Sequence, residues 1–395
     1  MTIVTAAPGG PNPPLSFSAI EEEFGSNPGR SLGQYRSSDS NFSNKDIGSL
    51  TNLPLDVHIP IDGEIKFSDF LGKKLNMVVD YYSGGTEIKR DLGATTMNAR
   101  NRYNNQPSKV TVVGGFRITR PASNEWQGGK RVIINVNKKI GGNNDGNISD
   151  VALRTGDWPG GTELQVEIGT NGKILGAGGD GGNPSLRVHS PPTAGFPGGN
   201  GTSALGVEYP AVINNNGVLR CGFGGGGGGS GGAIDPNSSS TDYGRTGSGG
   251  GGGAGLPAGV GGSKSGENWG TGSFNPGGDE TSVTGRSYNG KAGENGTENT
   301  GGSGGAVFPY DPGGSVFVRG GKGGNGGDEV DPPQSGGTAE QSHPTSTYAP
   351  ALSGGAAGNN GKSIRYVTPS VRDNSTLIGS EVGGTSVVDV PGAMN

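Results

Sequence analysis

No ordinary helix or strand can be argued for Cys221-Gly-Phe-Gly-Gly-Gly-Gly-Gly-Gly-Ser-Gly-Gly232, and this stretch limits which folds the chain can adopt. It is the centre of a glycine-rich block that extends from Asn171 to Gly361. Glycine loses more backbone entropy on folding than any other residue, and it has no side chain to bury in return. The block is therefore either a flexible tether or a structure in which backbones pack directly on one another.

The block repeats a phrase, whereas tethers of glycine and serine are usually without pattern. The sequence from Asn171 to Gly182 is echoed from Asn216 to Gly227, and Gly-Gly-X triplets recur from Arg319 to Asp328. A period of three is that of the polyproline-II helix, which has no internal hydrogen bonds and must bond to water or to neighbouring chains. Such helices can lie side by side when two residues in three are glycine. The third residues, which we expect to face solvent, include Asp180, Asn183, Lys322, Asn325 and Asp328.

Two alternatives to a folded sandwich stay open at this point. One is a disordered linker. The other is a collagen triple helix, which needs an unbroken Gly-X-Y register with much proline. Runs such as Gly224 to Gly229 break that register, as do inserts of ordinary composition. We favour a sandwich of packed polyglycine-II helices.

Composition limits what else the chain can be. Of its 395 residues 85 are glycine and only 29% are hydrophobic, so a single large apolar core is not available. The formal net charge of -5 and the scattered Lys and Arg predict no nucleic-acid partner. Cys221 is the only cysteine, which excludes an internal disulfide and a cysteine-built zinc site. We expect neither a signal peptide nor a membrane span, because no basic and apolar leader and no long apolar run occurs.

No set of residues for catalysis or metal binding stands out. His58, His189 and His343 are isolated in sequence, and the P-loop-like stretch 356–363 lacks the strand and helix that such a loop requires. The oxygen-rich stretch 143–150 lacks the bidentate Glu of a calcium loop, so we expect a hairpin turn there. Paired carboxylates of a glycosidase cannot be recognised from sequence alone. We therefore predict no enzyme, no catalytic residues, no cofactor and no metal.

We expect a mainly β and irregular fold in four parts. These are an N-terminal attachment module (1–54), a small β domain (55–168), a glycine-rich polyglycine-II sandwich with inserted loops (169–362) and C-terminal closing strands or tail (363–395). Alternating or β-branched runs between Gly and Asn turns predict the strands of the β domain. The predicted strands are Lys109–Val113, Phe116–Thr119, Arg131–Val136 and Glu163–Ile168, with closing strands in Ser363–Thr368 and Ser386–Val390.

Two related Phe-Ser phrases stand near the N-terminus, at Phe17-Ser18 and at Phe67-Ser68. Each predicts a short helical turn closed by glycine. Ser18 is the expected N-cap of the first, with Glu21 completing a capping box. The two phrases are interpreted either as small hydrophobic modules that pack together or as a docking element for a larger assembly.

Within the block, glycine runs alternate with inserts that contain most of its aromatic, proline and hydroxyl residues. Loops held on a rigid scaffold are where binding residues concentrate. The predicted inserts are Asn183–Pro197, Ala233–Arg245, Ser263–Asn299, Ala306–Pro312 and Asp328–Leu352.

At the glycine repeats the sequence resembles the receptor-recognising adhesins at the tips of the long tail fibres of T-even-like bacteriophages. The residues that carry this similarity are Ile168 to Gly182 and Val212 to Gly225, where a strand, an Asn-Gly turn and a glycine run follow one another. The resemblance implies polyglycine-II helices stacked in a sandwich, with variable segments between them as distal loops that contact the bacterial receptor. It covers the glycine-rich block well and residues 1–150 only loosely, although the Phe-Ser phrases resemble a short module of tailed-phage virion proteins.

By this resemblance the chain is a virion tail-fibre adhesin that binds a host surface receptor, either a porin or a polysaccharide. Aromatic residues give a stiff contact area with a polar handle at little entropy cost. The expected receptor-binding residues are Tyr243, Trp269, Phe274, Tyr310 and Tyr348. The expected partners are the receptor and other virion tail proteins, with the chain either a homotrimer or a cap on a trimeric fibre. We expect it in the virion tail, after assembly in the host cytoplasm.

Two other functions stay open. A purely structural virion protein, in the baseplate or as a capsid decoration, explains every feature except the inserts. A depolymerase is the third possibility.

Overall fold

The computed structural model of the chain describes residues 15–24, 31–35, 63–71, 77–81, 110–113, 116–119, 131–144, 146–147, 150–156, 158, 160–185, 194–234, 243–245, 247–263, 287–288, 290–306, 317–342, 353–379 and 387–388. This part of the chain consists mainly of strands and extended segments, with few helices. None of its helices has the length and apolar character needed to cross a membrane. It also contains no group of three or more His, Cys, Asp or Glu residues placed to hold a metal ion.

Short helical elements near the N-terminus enclose a small apolar cluster. They are α1 (Phe17–Phe24) and the 3-10 helices Leu32–Tyr35 and Phe67–Phe70. Ile20, Tyr35 and Phe70 each come from a different element and are fully buried. The rings of Tyr35 and Phe70 meet edge to face at a centroid distance of 5.7 Å. Both Phe-Ser phrases therefore begin a helical turn, as predicted.

The predicted cap of α1 is wrong by two residues. Ser16, not Ser18, precedes the helix, and its Oγ accepts a hydrogen bond from the N–H of Ala19 at 3.1 Å. In the second phrase the N–H of Lys66 donates to Oδ2 of Asp69 at 2.7 Å. The cap therefore lies before the phenylalanine in both phrases, because the aromatic residue is the first one with helical geometry.

The strands are numbered β1 to β19 in chain order, and one further helix, α2 (Pro369–Asp373), follows β17. The strand bounds are β1 Met77–Tyr81, β2 Val110–Val113, β3 Phe116–Thr119, β4 Arg131–Val136, β5 Lys139–Gly141, β6 Val151–Arg154, β7 Glu163–Ile168, β8 Lys173–Leu175, β9 Ser203–Val207, β10 Ala211–Asn215, β11 Val218–Arg220, β12 Gly232–Ile234, β13 Tyr243–Arg245, β14 Ser287–Tyr288, β15 Phe317–Arg319, β16 Glu340–Ser342, β17 Ile364–Tyr366, β18 Thr376–Gly379 and β19 Val387–Val388.

Three sheets, largely parallel, share one apolar core. The first sheet has the order β18-β10-β7-β4-β1-β3-β2, the second β11-β8-β5 and the third β19-β17-β9-β6. The chain visits them in a fixed order, as β4-β5-β6, then β7-β8-β9, then β10-β11-β17. This is the arrangement of a parallel β-solenoid, in which each turn of chain adds one strand to every sheet. The glycine block leaves the solenoid where the chain passes from the second sheet to the third.

Alternation along the strands builds the core between the sheets. In β7, Leu164, Val166 and Ile168 are buried while Gln165 and Glu167 between them are partly exposed. Ile174 of β8 and Leu205 of β9 are fully buried in the same cluster. Burying a side chain of this size stabilises the fold by about 1.5–3 kcal/mol relative to leaving it exposed.

The predicted strands correspond closely to β2, β3, β4 and β7, and the closing strands to β17 and β19. The hairpin expected at residues 143–150 is wrong. These residues connect β5 in the second sheet to β6 in the third, and β6 pairs with β9 in parallel. The division at residues 54, 168 and 362 stays a prediction, and the sheets combine strands from both sides of residues 168 and 362.

Between its inserts and strands, the glycine block consists of extended segments that are neither α-helix nor β-strand. Ten of them occur among the described residues: segments 1 (176–185), 2 (194–202), 3 (221–231), 4 (247–255), 5 (259–263), 6 (290–297), 7 (301–306), 8 (320–328), 9 (334–339) and 10 (353–362). Their backbone groups bond to other segments, for example Gly226 N–H to Gly251 O at 2.8 Å.

Segment 3 is bonded on all sides. Every N–H group from Gly222 to Ser230 donates to another segment at 2.8–3.1 Å. Along this stretch the acceptor changes with a period of three, from segment 2 to segment 4 and then to segment 9 or a side chain of segment 10. The carbonyl groups of the same stretch accept hydrogen bonds from segments 10, 1 and 8 in turn, also with a period of three. This stretch therefore satisfies its backbone groups as a buried backbone must, without helix or sheet.

The predicted inserts are too long, most of all in two places. Residues 290–297, inside the predicted insert Ser263–Asn299, are segment 6, and Gly293 N–H donates to Gly262 O at 3.0 Å. Residues 334–339, inside the predicted insert Asp328–Leu352, are segment 9, and Gly336 N–H donates to Gly355 O at 2.9 Å. At the margin of the block, one or two glycines in every three residues are enough for a segment to pack, because only part of each marginal segment faces another backbone.

We expect substitution Gly226→Ala to disrupt the block. A Cβ at Gly226 would lie 2.0 Å from the carbonyl oxygen of Gly324, a backbone atom that cannot rotate away. We expect a loss of stability of about 3 kcal/mol or more, measured by thermal melting. Cys221 gives a second measurement, because it is fully buried and burial raises the pKa of its thiol to about 12. Labelling of this thiol at neutral pH should be very slow in the parent and fast in the variant.

Gly160→Ala is the matched control, since an added Cβ there meets no atom within 4 Å. It should melt and label like the parent. If Gly226→Ala behaves like Gly160→Ala, segment 3 is not packed against other backbones.

Candidate functional site

All the long connections of the glycine block leave from one end. Segments 1 and 3 run parallel, because their bonds advance together from Gly176 N–H···Arg220 O to Gly182 N–H···Gly226 O. Segments 5, 7 and 9 run in that same direction, and the even-numbered segments run back. The long connections therefore follow segments 1, 3, 5, 7 and 9. We call them inserts 1 (186–193), 2 (232–246), 3 (264–289), 4 (307–319) and 5 (340–352).

Short strands pair with one another at the roots of inserts 2 to 5, which are the points where these inserts join the glycine block. In insert 2, β12 pairs with β13, and β13 pairs with β14 of insert 3. In the same way β15 of insert 4 pairs with β16 of insert 5. Since β15 also lies against β12 and β13, the four inserts begin from one cluster of short strands.

The structure places one of the five predicted site residues. Tyr243 is the first residue of β13, opposite Ile234 of β12, at the root of insert 2. The other four, Trp269, Phe274, Tyr310 and Tyr348, lie outside the described residues. The site assignments stay predictions.

The opposite end of the block is held on the outer face of the second sheet by an ionic cluster. Lys139 of β5 and Lys173 of β8 are direct neighbours in the parallel register. Glu298, in the turn between segments 6 and 7, bonds both: Oε2 lies 2.5 Å from Lys139 Nζ, and Oε1 lies 2.8 Å from Lys173 Nζ. Adjacent like charges on a sheet are unfavourable, so the carboxylate stabilises the lysine pair as well as the turn.

Arg220 of β11 completes this contact. Its guanidinium donates to the main-chain carbonyl of Glu298 and, at 3.2 Å, to Oδ1 of Asn299. Arg220 is buried. Three cationic residues from three successive strands of one sheet therefore hold a single turn of the glycine block.

The cluster controls the charge state of Glu298. Burial raises the pKa of the carboxyl, but hydrogen bonds and charge attraction from Lys139 and Lys173 outweigh that effect, and the net pKa is lowered from the ordinary value of 4.5. At the end of segment 8, burial likewise raises the pKa of Asp328, and backbone N–H donors led by those of Asp331 and Val330 lower it overall. Both carboxyls are therefore ionised at neutral pH.

Sequence reasoning missed this ionic cluster. The partners Lys139 and Glu298 are 159 residues apart, and no local pattern connects them. The available signal was the repetition of a basic residue in the short runs that became β5, β8 and β11. It becomes informative only once these runs are known to stack.

A family model described as Phage tail fibre adhesin Gp38 matches residues 98–386. One solved structure, the gp37-gp38 adhesin tip complex of the bacteriophage S16 long tail fiber, is similar at 19% sequence identity with a TM-score of 0.35; the match covers 84% of this chain and 90% of that one. No curated protein matches the sequence.

The family match defines the class of protein, a bacteriophage tail-fibre adhesin. The chain belongs to the phage tail fibre adhesin Gp38 family. It is thus a protein of the virion tail that binds a receptor on the surface of the host bacterium during attachment. The resemblance inferred from the glycine repeats is confirmed.

We expect substitution Glu298→Gln to lower stability at neutral pH by about 1 kcal/mol, because a partly exposed ion pair is lost. Since the pKa of Glu298 is lowered in the folded state, its contribution is complete above about pH 4.5 and is lost as the pH falls through the folded-state pKa. The difference in urea midpoint between parent and variant should therefore shrink below pH 4.5.

Glu294→Gln removes the same charge from an exposed position on segment 6 and should leave the midpoint unchanged. Equal midpoints for Glu298→Gln and the parent at pH 7 would show that the cluster does not hold the block.

Proposed function

We propose that this adhesin carries its inserts on a sandwich of polyglycine-II helices and that the ends of the inserts together form the receptor-binding surface. The observation that carries the proposal is the common direction of segments 1, 3, 5, 7 and 9, which lead into all five inserts at one end.

The hydrogen bonds support a polyglycine-II conformation. Partners change with a period of three, as expected of a helix with three residues per turn and no internal bonds. The pairings fit three layers, with segments 2, 1 and 5 in the first, segments 10, 3, 4 and 6 in the second and segments 9, 8 and 7 in the third. Segment 4, like segment 3, bonds to six others, so two segments form the interior of the sandwich.

This scaffold suits recognition because it is rigid while contributing few side chains. A loop fixed at both ends loses less conformational entropy on binding than a free loop does. The packed glycines offer a receptor almost no side chain, so discrimination falls to the inserts. Within them we assign contact roles to Tyr243, Trp269, Phe274, Tyr310 and Tyr348, as aromatic anchors for a porin or a polysaccharide.

The remaining parts of the chain serve attachment and closure in this proposal. Residues 1–54 join the adhesin to other virion tail proteins. Residues 55–168 supply the first strands of the sheets that support the sandwich at residues 169–362. Residues 363–395 close the sheets. The adhesin acts as a cap on a trimeric fibre or as a trimer, has no nucleic-acid partner and is assembled in the host cytoplasm.

We also propose that the adhesin binds without cutting its receptor. Purified protein incubated with host envelope polysaccharide should release no reducing ends. Release above that of a heat-denatured sample would overturn this part of the proposal.

Tyr243→Ala, Trp269→Ala and Tyr310→Ala test the surface directly. Truncating an anchor residue costs about 2 kcal/mol or more, which is roughly a thirtyfold loss of affinity. The measurement is competition: purified adhesin should block phage adsorption to host cells, and at least one variant should need roughly thirtyfold more protein for the same block.

Val330→Ala is the control, because Val330 is 86% exposed and lies in the turn between segments 8 and 9, at the opposite end from the inserts. It should compete like the parent. If all three aromatic variants keep their circular dichroism spectra and also compete like the parent, the inserts do not bind the receptor through these residues.

A further inference from the structure

Segment 5 lies at the margin of the block, where fewer neighbouring backbones are available as hydrogen-bond partners. Gly259 and Gly262 donate their N–H groups to carbonyls of segment 4 at 2.9 and 2.7 Å. The three other N–H groups of the segment, on Val260, Gly261 and Ser263, donate to side chains instead.

The acceptors are carboxylate or amide oxygens of neighbouring segments. Asp180 Oδ1 accepts from Val260 N–H at 2.8 Å, and Asn183 Oδ1 accepts from Ser263 N–H at 2.9 Å. The hydroxyl of Ser263 also donates to Asn183 Oδ1, at 2.8 Å. Asp180 and Asn183 were expected to face solvent; they are exposed, but their oxygens complete the bonding of segment 5.

The same device recurs on the other side of the block. Gly301 and Gly304 of segment 7 donate to Asp328 Oδ2 at 3.2 Å and to Asn325 Oδ1 at 2.9 Å. In both places the two acceptors are three residues apart, and so are the two donors. A single three-residue repeat therefore brings each acceptor to a donor.

These side chains distinguish one alignment from others that backbone bonds alone would allow. Glycine-rich chains specify their register weakly, because a shift restores equivalent bonds. A shift of three residues in one direction would place Asp180 opposite Pro257, which has no N–H group. The opposite shift would place Asp180 opposite Ser263, and a shift in either direction would move Asn183 away from the N–H and hydroxyl groups of Ser263.

We infer that the Asp and Asn residues at every third position of segments 1 and 8 are positioning residues that end the hydrogen-bonded lattice and set the alignment of its marginal segments. Asn183 has the most direct consequence, because Ser263 is the last residue of segment 5 before insert 3. It fixes the point from which insert 3, with Trp269 and Phe274, departs. The link to receptor binding rests on the proposed function, whereas the alignment itself does not.

Tryptic cleavage after Lys264, the residue that follows Ser263, tests the alignment by itself. A protease needs extended chain on both sides of the bond that it cuts, so the end of segment 5 must be released first. Asn183→Ala removes the acceptor, and loss of one such bond should speed cleavage about fivefold. Asn183→Asp keeps an oxygen acceptor and should be cleaved at nearly the rate of the parent.

Asn200→Ala is the matched control. Asn200 Oδ1 accepts from Asn359 N–H at 2.8 Å, an equivalent bond near the β17 end of segment 10. It should lower the melting temperature as little as Asn183→Ala does and leave cleavage after Lys264 unchanged. Equal cleavage rates for Asn183→Ala and Asn200→Ala would overturn the inference.

Competition for adsorption to host cells distinguishes the positioning role of Asn183 from receptor binding by insert 3. If insert 3 binds receptor, Asn183→Ala should weaken competition for host cells about fivefold and Asn183→Asp should restore it. Faster cleavage, with competition unchanged in both Asn183→Ala and Trp269→Ala, would support the positioning role and count against receptor binding by insert 3.

Discussion

Hydrogen bonding between backbones that carry no Cβ is the constraint on which the rest of the molecule depends. Segment 3 bonds to six other segments, and a Cβ at its glycines would fall within about 2 Å of their carbonyl atoms. The peptide groups of segment 3 themselves make the contacts of the interior, so glycine is required there because no space remains for a Cβ. Ordinary side chains are tolerated where a segment faces solvent, which leaves the inserts free to vary in length and composition.

The molecule combines two ways of filling an interior. The solenoid of three sheets buries Val, Leu and Ile side chains from alternating strands, and the glycine block buries peptide groups. The two are continuous, because the block enters and leaves at the passage from the second sheet to the third. Glu298 forms ion pairs with Lys139 and Lys173 and so attaches one turn of the block to the second sheet. The end opposite the inserts is therefore held by ion pairs as well as by the covalent connections of the chain.

Much of this could be predicted from local pattern, and the rest depended on long-range contacts. A β-branched run was enough for β4 and alternation was enough for β7, and the three-residue period indicated laterally bonded segments. Runs of three residues such as β8 and β11 carry too little periodicity to be recognised, so the solenoid was interpreted as a small domain that ends where the block begins. The inserts were recognised by composition, but segments 6 and 9 were included in them because sparse glycine conceals a packed backbone. The acceptor roles of Asp180 and Asn183 required knowledge of which segment lies beside them.

Hydrogen exchange tests the backbone bonding of segment 3, because it reports on individual backbone N–H groups. If segment 3 lies inside a lattice of backbone bonds, the amides from Gly222 to Ser230 should exchange only through global unfolding of the block. The amides of Val260 and Ser263, bonded to exposed side chains at the margin, should exchange faster by local opening. Exchange of the Gly222–Ser230 amides at the rate of an unstructured glycine peptide would show that segment 3 does not lie inside a lattice of backbone bonds.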